Sequence, residues 1–183
     1  MNAAAWQGPP RNVLGHPARI QQFVARSDHA IVALQHAIAF PEGCRLGLQV
    51  AVRRGVMDSA SWSRLVDDYK LADPNFVPDD ADLKFGVHFP DGTRATAVGN
   101  AFRGWAHPTD RPQAPMLVET GSTSSSSDQI YESERQLWLW PLPPPVQFEF
   151  VIEWRRLGID TTLAPLNGTA IVQAAAQAQP YWP

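Results

Sequence analysis

Along residues 30–40 the apolar side chains fall on every second position: Ala30, Val32, Leu34, Ile38 and Phe40, with His36 as the one polar member of the row. Side chains alternate across a strand, so this row predicts a strand with one face turned inward. Residues 44–53 repeat the pattern, with Leu46, Leu48, Val50 and Val52 on one face and Arg45, Gln49 and Arg53 on the other. Between them, Pro41-Glu42-Gly43 predicts a short hairpin turn. Proline presets φ early in such a turn, and glycine supplies a positive φ. The corner Phe40-Pro41-Glu42-Gly43 is matched by Phe89-Pro90-Asp91-Gly92, which joins the alternating Phe85, Val87 and Phe89 to Thr93–Val98. The match does not extend past the corners, so it is one turn chemistry used twice rather than an internal duplication.

Between the hairpins the period changes. Trp62, Leu65, Val66 and Tyr69 stand at i, i+3, i+4 and i+7 and make one helical stripe, predicting a helix near 59–71. Asp58 or Ser59 is placed to cap it, and Arg64 to pair with Asp68. Residues 1–18, punctuated by Gly8, Pro9, Pro10, Gly15 and Pro17, read as an irregular N-terminal arm, and 19–26 as a first edge strand. Residues 99–114 read as irregular and Met116–Thr120 as a short strand. The run of serines in 121–128 reads as a flexible loop by composition. Arg135–Trp140, Gln147–Trp154 and Ile159–Ala164 complete the strands, with Pro141–Pro145 as a polyproline-like bend. Asn167 or Thr169 caps a last helix over 168–178. These elements predict an all-β fold: an antiparallel β-sandwich of immunoglobulin-like or jelly-roll connectivity with two short helices, spanning 19–183 as one domain.

Composition narrows the function classes. The chain has 183 residues, 17 of them proline, and a net charge of −3 without a basic stripe. Nucleic acid and anionic membrane are poor partners for such a surface. Cys44 is the only cysteine, no run is long enough to span a bilayer, and the first residues lack a signal-peptide pattern. These features set the expectation of a cytoplasmic protein.

Three blocks in the C-terminal third form a signature: Trp138-Leu139-Trp140-Pro141-Leu142-Pro143-Pro144-Pro145, Phe150-Val151-Ile152-Glu153-Trp154 and Gly158-Ile159-Asp160-Thr161-Thr162. This signature resembles a group of uncharacterised actinomycete proteins, and the two Phe-Pro-acid-Gly corners are similar to theirs. Members usually carry a longer glycine-rich tract where this chain has its serines. The resemblance implies a shared fold and a bacterial origin, and no activity.

Candidate chemistry is sparse. Glu149 and Glu153 lie about 13 Å apart along one strand at about 3.3 Å per residue. That exceeds the separation of about 5–9.5 Å that glycosidic acid–base pairs use. Glu132 and Glu134 flank the serine tract. Six aspartates between 67 and 82 lack the glycine and ligand spacing of a calcium loop. The five histidines show no metal-ligand spacing, so no metal or cofactor is expected. His36 reads as a core imidazole. Gly99–Gly104 has the spacing of a phosphate loop, but Trp105 and Ala106 replace its Lys and Ser/Thr.

Tryptophan is the one excess. Trp138 and Trp140 share a strand face and form a candidate platform for a sugar or a Pro-rich segment. With Trp105 and Arg103 they are the predicted contact residues. The leading expectation is a non-enzymatic binding or scaffolding module, with a protein partner, self-association or a small ligand. The alternative is a small hydrolase built on His107, Asp110 and the acidic loop at 79–82.

Overall fold

The computed structural model describes residues 4–70, 80–97 and 113–182. In chain order the strands are β1 (Val13–Leu14), β2 (His16–Ala18), β3 (Gln22–Arg26), β4 (Ala30–Phe40) and β5 (Gly43–Arg53). Helix α1 (Ser59–Lys70) precedes β6 (Lys84–His88), β7 (Arg94–Ala97), β8 (Met116–Ser126), β9 (Ile130–Trp140), β10 (Gln147–Trp154) and β11 (Ile159–Asn167). Helix α2 (Gly168–Ala175) and β12 (Gln179–Pro180) follow. The pairing is antiparallel throughout. One sheet runs β2-β4-β5-β9-β8 with β3 also on β4, a second runs β11-β10-β6-β7, and β1 pairs with β12.

The two larger sheets face each other as an all-β sandwich. Leu46, Leu48, Val50, Leu137 and Leu139 from one sheet meet Phe85, Val87, Phe148, Phe150 and Ile152 from the other. Stacked pairs Phe85–Phe150 and Phe89–Phe148, with centroids 6.0 and 5.0 Å apart, run through the four-stranded layer.

Helix α1 closes one end. Its predicted stripe is the face it buries, with Trp62, Leu65 and Val66 inside. Asp58 caps it, accepting from the Ser61 amide at 2.8 Å, and that bond holds the Asp58 carboxyl below the usual carboxylate range. The expected Arg64–Asp68 pair is replaced by a longer-range one, because Asp68 faces Arg156 at 3.6 Å. Trp62 Nε1 donates to the Ser127 carbonyl at 3.1 Å, tying α1 to the six-stranded sheet. Trp154 Nε1 donates to the Tyr69 hydroxyl at 2.6 Å, tying it to the other. Tyr69 in turn donates to Asp82 at 3.4 Å, and Asp82 holds Arg156 at 3.0 Å. Helix α2 closes the opposite end. It is capped by Asn167, which accepts from the Ala170 amide, and bonds back to the stretch before β10 through Thr169 and Gly168. It ends at Ala175, short of the expected 178.

Four expectations are corrected. The serine tract is strand, not flexible loop: Gly121–Ser126 continue β8, with Thr123 opposite Glu134 and Ser124 opposite Ser133. A complete main-chain ladder to β9 outweighs the weak strand preference of serine. Only Ser127–Gln129 turn, held by the Ser127 hydroxyl, which accepts from the Gln129 and Ile130 amides. The arm is likewise ordered from Ala4 and contributes β1 and β2.

The third correction concerns β4. Its register shifts between Leu34 and His36, a bulge that sends Ile38 and Phe40 to the opposite face from Val32 and Leu34. His36 is therefore exposed rather than in the core, its ring lying over Gly47. The fourth concerns the matched corners. Gly92 has φ +85° as a turn glycine should, but Gly43 has no positive φ and already belongs to β5.

Replacing Tyr69 with Phe leaves the Trp154 N–H buried without an acceptor, so it lowers stability by about 1–3 kcal/mol, read from the urea midpoint at unchanged slope. Burial also pushes the Tyr69 phenol up to about 12. The unfolded chain ionises first, at about 10. The phenol's contribution is therefore complete below that pH and is lost as pH rises through 12. Tyr69→Phe flattens this alkaline decline.

Candidate functional site

The bulge in β4 gives the six-stranded sheet an aromatic patch on the face away from the core. Phe40, Trp138 and Trp140 form a second hydrophobic cluster there, joined by Trp6, Val13, Ile38 and Met116. Phe40 meets Trp138 edge to face at 5.7 Å, and Trp6 meets Trp140 the same way at 6.2 Å. Two glycines make the close approach. A Cβ on Gly43 would lie 2.5 Å from both the Trp138 ring and the Leu139 carbonyl. A Cβ on Gly15 would lie 2.6 Å from Ile38 and the Phe40 ring. Gly43 is therefore required by packing, not by its backbone angles.

The arm Ala4–Leu14 lies across this patch. Trp138 Nε1 donates to the Ala5 carbonyl at 2.9 Å. Farther along, β1 pairs with β12, and the Tyr181 amide donates to the Asn12 carbonyl at 2.9 Å. The predicted exposed platform is thereby corrected. Trp138 and Trp140 do share a face, but their exposures are 0% and 5%, because the arm covers them. Trp105 and Arg103, the other predicted contacts, lie outside the described residues.

Where the arm meets the β4–β5 corner, an open cleft of about 450 Å³ is lined by Trp6, Trp140, Pro41, Glu42, Pro141 and Leu142. Its volume falls within the roughly 300–1,000 Å³ of ligand sites, but it is open to solvent, and Glu42 is the one ionisable residue in its lining. Three buried polar atoms on or over this sheet face have no hydrogen-bond partner: Trp6 Nε1, Arg45 Nε and Gln136 Oε1. The ladder sets Arg45 between Ile38 and Trp138, and Gln136 beside Gly47. The Arg45 guanidinium carbon lies 5.8 Å from the Phe40 ring centroid, at the limit of a cation–π contact.

A second cavity, of about 580 Å³, is lined by Ser27, Asp28, His29, Met57, Arg156 and Gly158. It brings a hydroxyl, a carboxylate and an imidazole together, but not as a nucleophile relay. A nucleophilic serine needs its base within hydrogen-bond reach. Ser27 Oγ instead accepts from the His29 and Ala30 amides at 3.2 and 3.0 Å, a local turn. The His29 Nδ1 is buried without a partner.

The described members of the other predicted chemistry serve as structural contacts. Of the acidic loop at 79–82, Asp80 pairs with Lys84 at 3.2 Å and Asp82 with Arg156, while Asp79, His107 and Asp110 lie outside the described residues. Glu153 sits among Thr161, Arg155 and Lys84; the Thr161 hydroxyl bond, then the two cations, hold its carboxyl below the ordinary range. Burial pushes the Cys44 thiol up to about 12, so it stays protonated and unreactive. Among the described residues, no three His, Cys, Asp or Glu side chains gather as metal ligands would. None of their helices is long and apolar enough to cross a membrane.

Sequence reasoning missed the arm as part of the site. Two signals pointed to it: Trp6 among the arm's prolines, and the adjacent polar pair Gln35-His36, which interrupts the alternation of β4 where the bulge lies. No protein-family model, curated protein or solved structure matches this chain.

Gly43→Ala forces a carbon into the Trp138 ring and the Leu139 carbonyl, and is expected to lower stability by about 1–3 kcal/mol. Gly121→Ala, on an exposed strand with no heavy atom within 4 Å of the new carbon, is the control and stays within about 0.5 kcal/mol. Chemical denaturation of both variants checks the contrast.

Proposed function

We propose that this protein is a non-enzymatic binding module whose contact site is the aromatic face of the six-stranded sheet, at and beneath the Ala4–Leu14 arm. One observation carries the reading: the face already seats a peptide. An indole N–H from Trp138 holds a main-chain carbonyl, and Trp140 takes an aromatic side chain edge-on. Aromatic grooves recognise extended, proline-bearing segments through this combination of apolar contact and a few main-chain bonds. The arm, with Trp6, Pro9 and Pro10, is such a segment. The net charge of −3 favours a protein partner over nucleic acid. The single cysteine and the actinomycete resemblance support a bacterial, cytoplasmic setting for the contact.

The test uses the full chain carrying Trp6→Ala, which loosens the resident arm. A fluorescein-labelled peptide of residues 4–14 is titrated against it by anisotropy. Saturable binding is expected. Adding Trp138→Phe, which removes the N–H and shrinks the indole to a phenyl ring, should weaken binding by at least about five- to tenfold, the value of the lost hydrogen bond before any lost packing. No saturable binding to a Trp6→Ala chain with an unchanged circular dichroism spectrum overturns the reading.

A further inference from the structure

The arm is an imperfect occupant of the face it covers. Buried donors and acceptors in native proteins are nearly all satisfied, yet the arm buries its own Trp6 N–H against Trp140 without an acceptor. It also lies over a face where Arg45 Nε has none. Arg45 takes part in no ion pair among the described residues. A half-buried guanidinium calls for a carboxylate, since charge-assisted bonds are roughly twice as strong as neutral ones. The arm has none to offer: Arg11 is the only charged residue in 4–14, and it carries the same sign as Arg45.

The arm is also held by a small number of main-chain bonds. Trp138 holds Ala5, the two-residue β1 pairs with the two-residue β12, and Tyr181 bonds Asn12. Removing it would leave the Phe40, Trp138 and Trp140 rings, each able to bury about 150–250 Å², facing water. That is too large an apolar patch to stand open, and it explains why a resident cover is present.

We propose that the Ala4–Leu14 arm is a displaceable strap, and that what displaces it is an extended segment of another protein bearing an aromatic side chain and a carboxylate. The aromatic ring takes the place of Trp6 on Trp140, a main-chain carbonyl takes the Trp138 N–H, and the carboxylate meets Arg45. This rests on the binding face proposed above and adds the chemistry of the partner and the means by which the site is kept closed.

Two labelled peptides distinguish the two claims. One spans residues 4–14. The other is the same sequence with Gln7→Glu and Asn12→Glu. Each is titrated into the full wild-type chain, the Trp6→Ala chain and the Arg45→Gln chain. The acidic peptide is expected to bind the wild-type chain at least tenfold more tightly than the neutral one. Both should gain affinity for Trp6→Ala, and the preference should fall below twofold in Arg45→Gln.

Salt supplies a readout that needs no variant. Raising ionic strength from about 0.01 to about 1 M shortens the screening length from about 30 to about 3 Å and should shrink the preference in the wild-type chain. Equal affinities, or a preference that survives both Arg45→Gln and high salt, overturn the carboxylate-bearing partner while leaving the binding face standing. Failure of both peptides to bind Trp6→Ala removes both claims.

Discussion

One extra residue in β4 determines the composition of the outer face of the larger sheet. Side chains on a strand alternate strictly, so a bulge between Leu34 and His36 exchanges the two faces for everything after it. Ala37 and Ala39 turn in to the core, and Ile38 and Phe40 turn out. Without that exchange the large ring of Phe40 would point between the sheets, and Trp138 would have no aromatic neighbour across Gly43. The aromatic cluster, the clearance at Gly15 and Gly43, and the docking of the arm all follow from it.

The interior is secured independently of that face. Helix α1 bridges the two sheets through a chain of polar contacts that runs from buried Trp154 through Tyr69 to Asp82 and the exposed Arg156. Several residues that look chemically useful in the sequence are used in this way. Asp82 and Arg156 fasten a helix, Ser27 shapes a turn, and Cys44 is a small apolar side chain in the core. Of the buried polar side-chain atoms left without a partner among the described residues, Trp6 Nε1, Arg45 Nε and Gln136 Oε1 lie on or over the outer face, while His29 Nδ1 and Arg135 Nε lie elsewhere.

Much of the fold was legible because it follows period. The inward rows of β5 and β10, the stripe of α1 and the Asn167 cap of α2 are where their residues put them. The serine tract was misread because composition reports what a segment can bury by itself, whereas Ser122–Ser126 are held by main-chain bonds to β9. Phe40 was misread because a bulge leaves only a local trace, two polar residues in a row. The candidate site was half legible: Trp138 and Trp140 were found on one face, but pattern within a strand carries no information about a segment more than a hundred residues earlier that lies across it.

The central claim is that the Trp138 indole faces away from the core and is closed over by the arm. Nuclear magnetic resonance of the seven tryptophan indole N–H groups tests it most directly. The account predicts a Trp138 indole proton that exchanges slowly with solvent and shows Overhauser contacts to the Phe40 ring and to Ala5. A Trp138 indole that exchanges at the rate of a free side chain, or a Phe40 ring in contact with Leu48 and Phe150 of the interior, would contradict it.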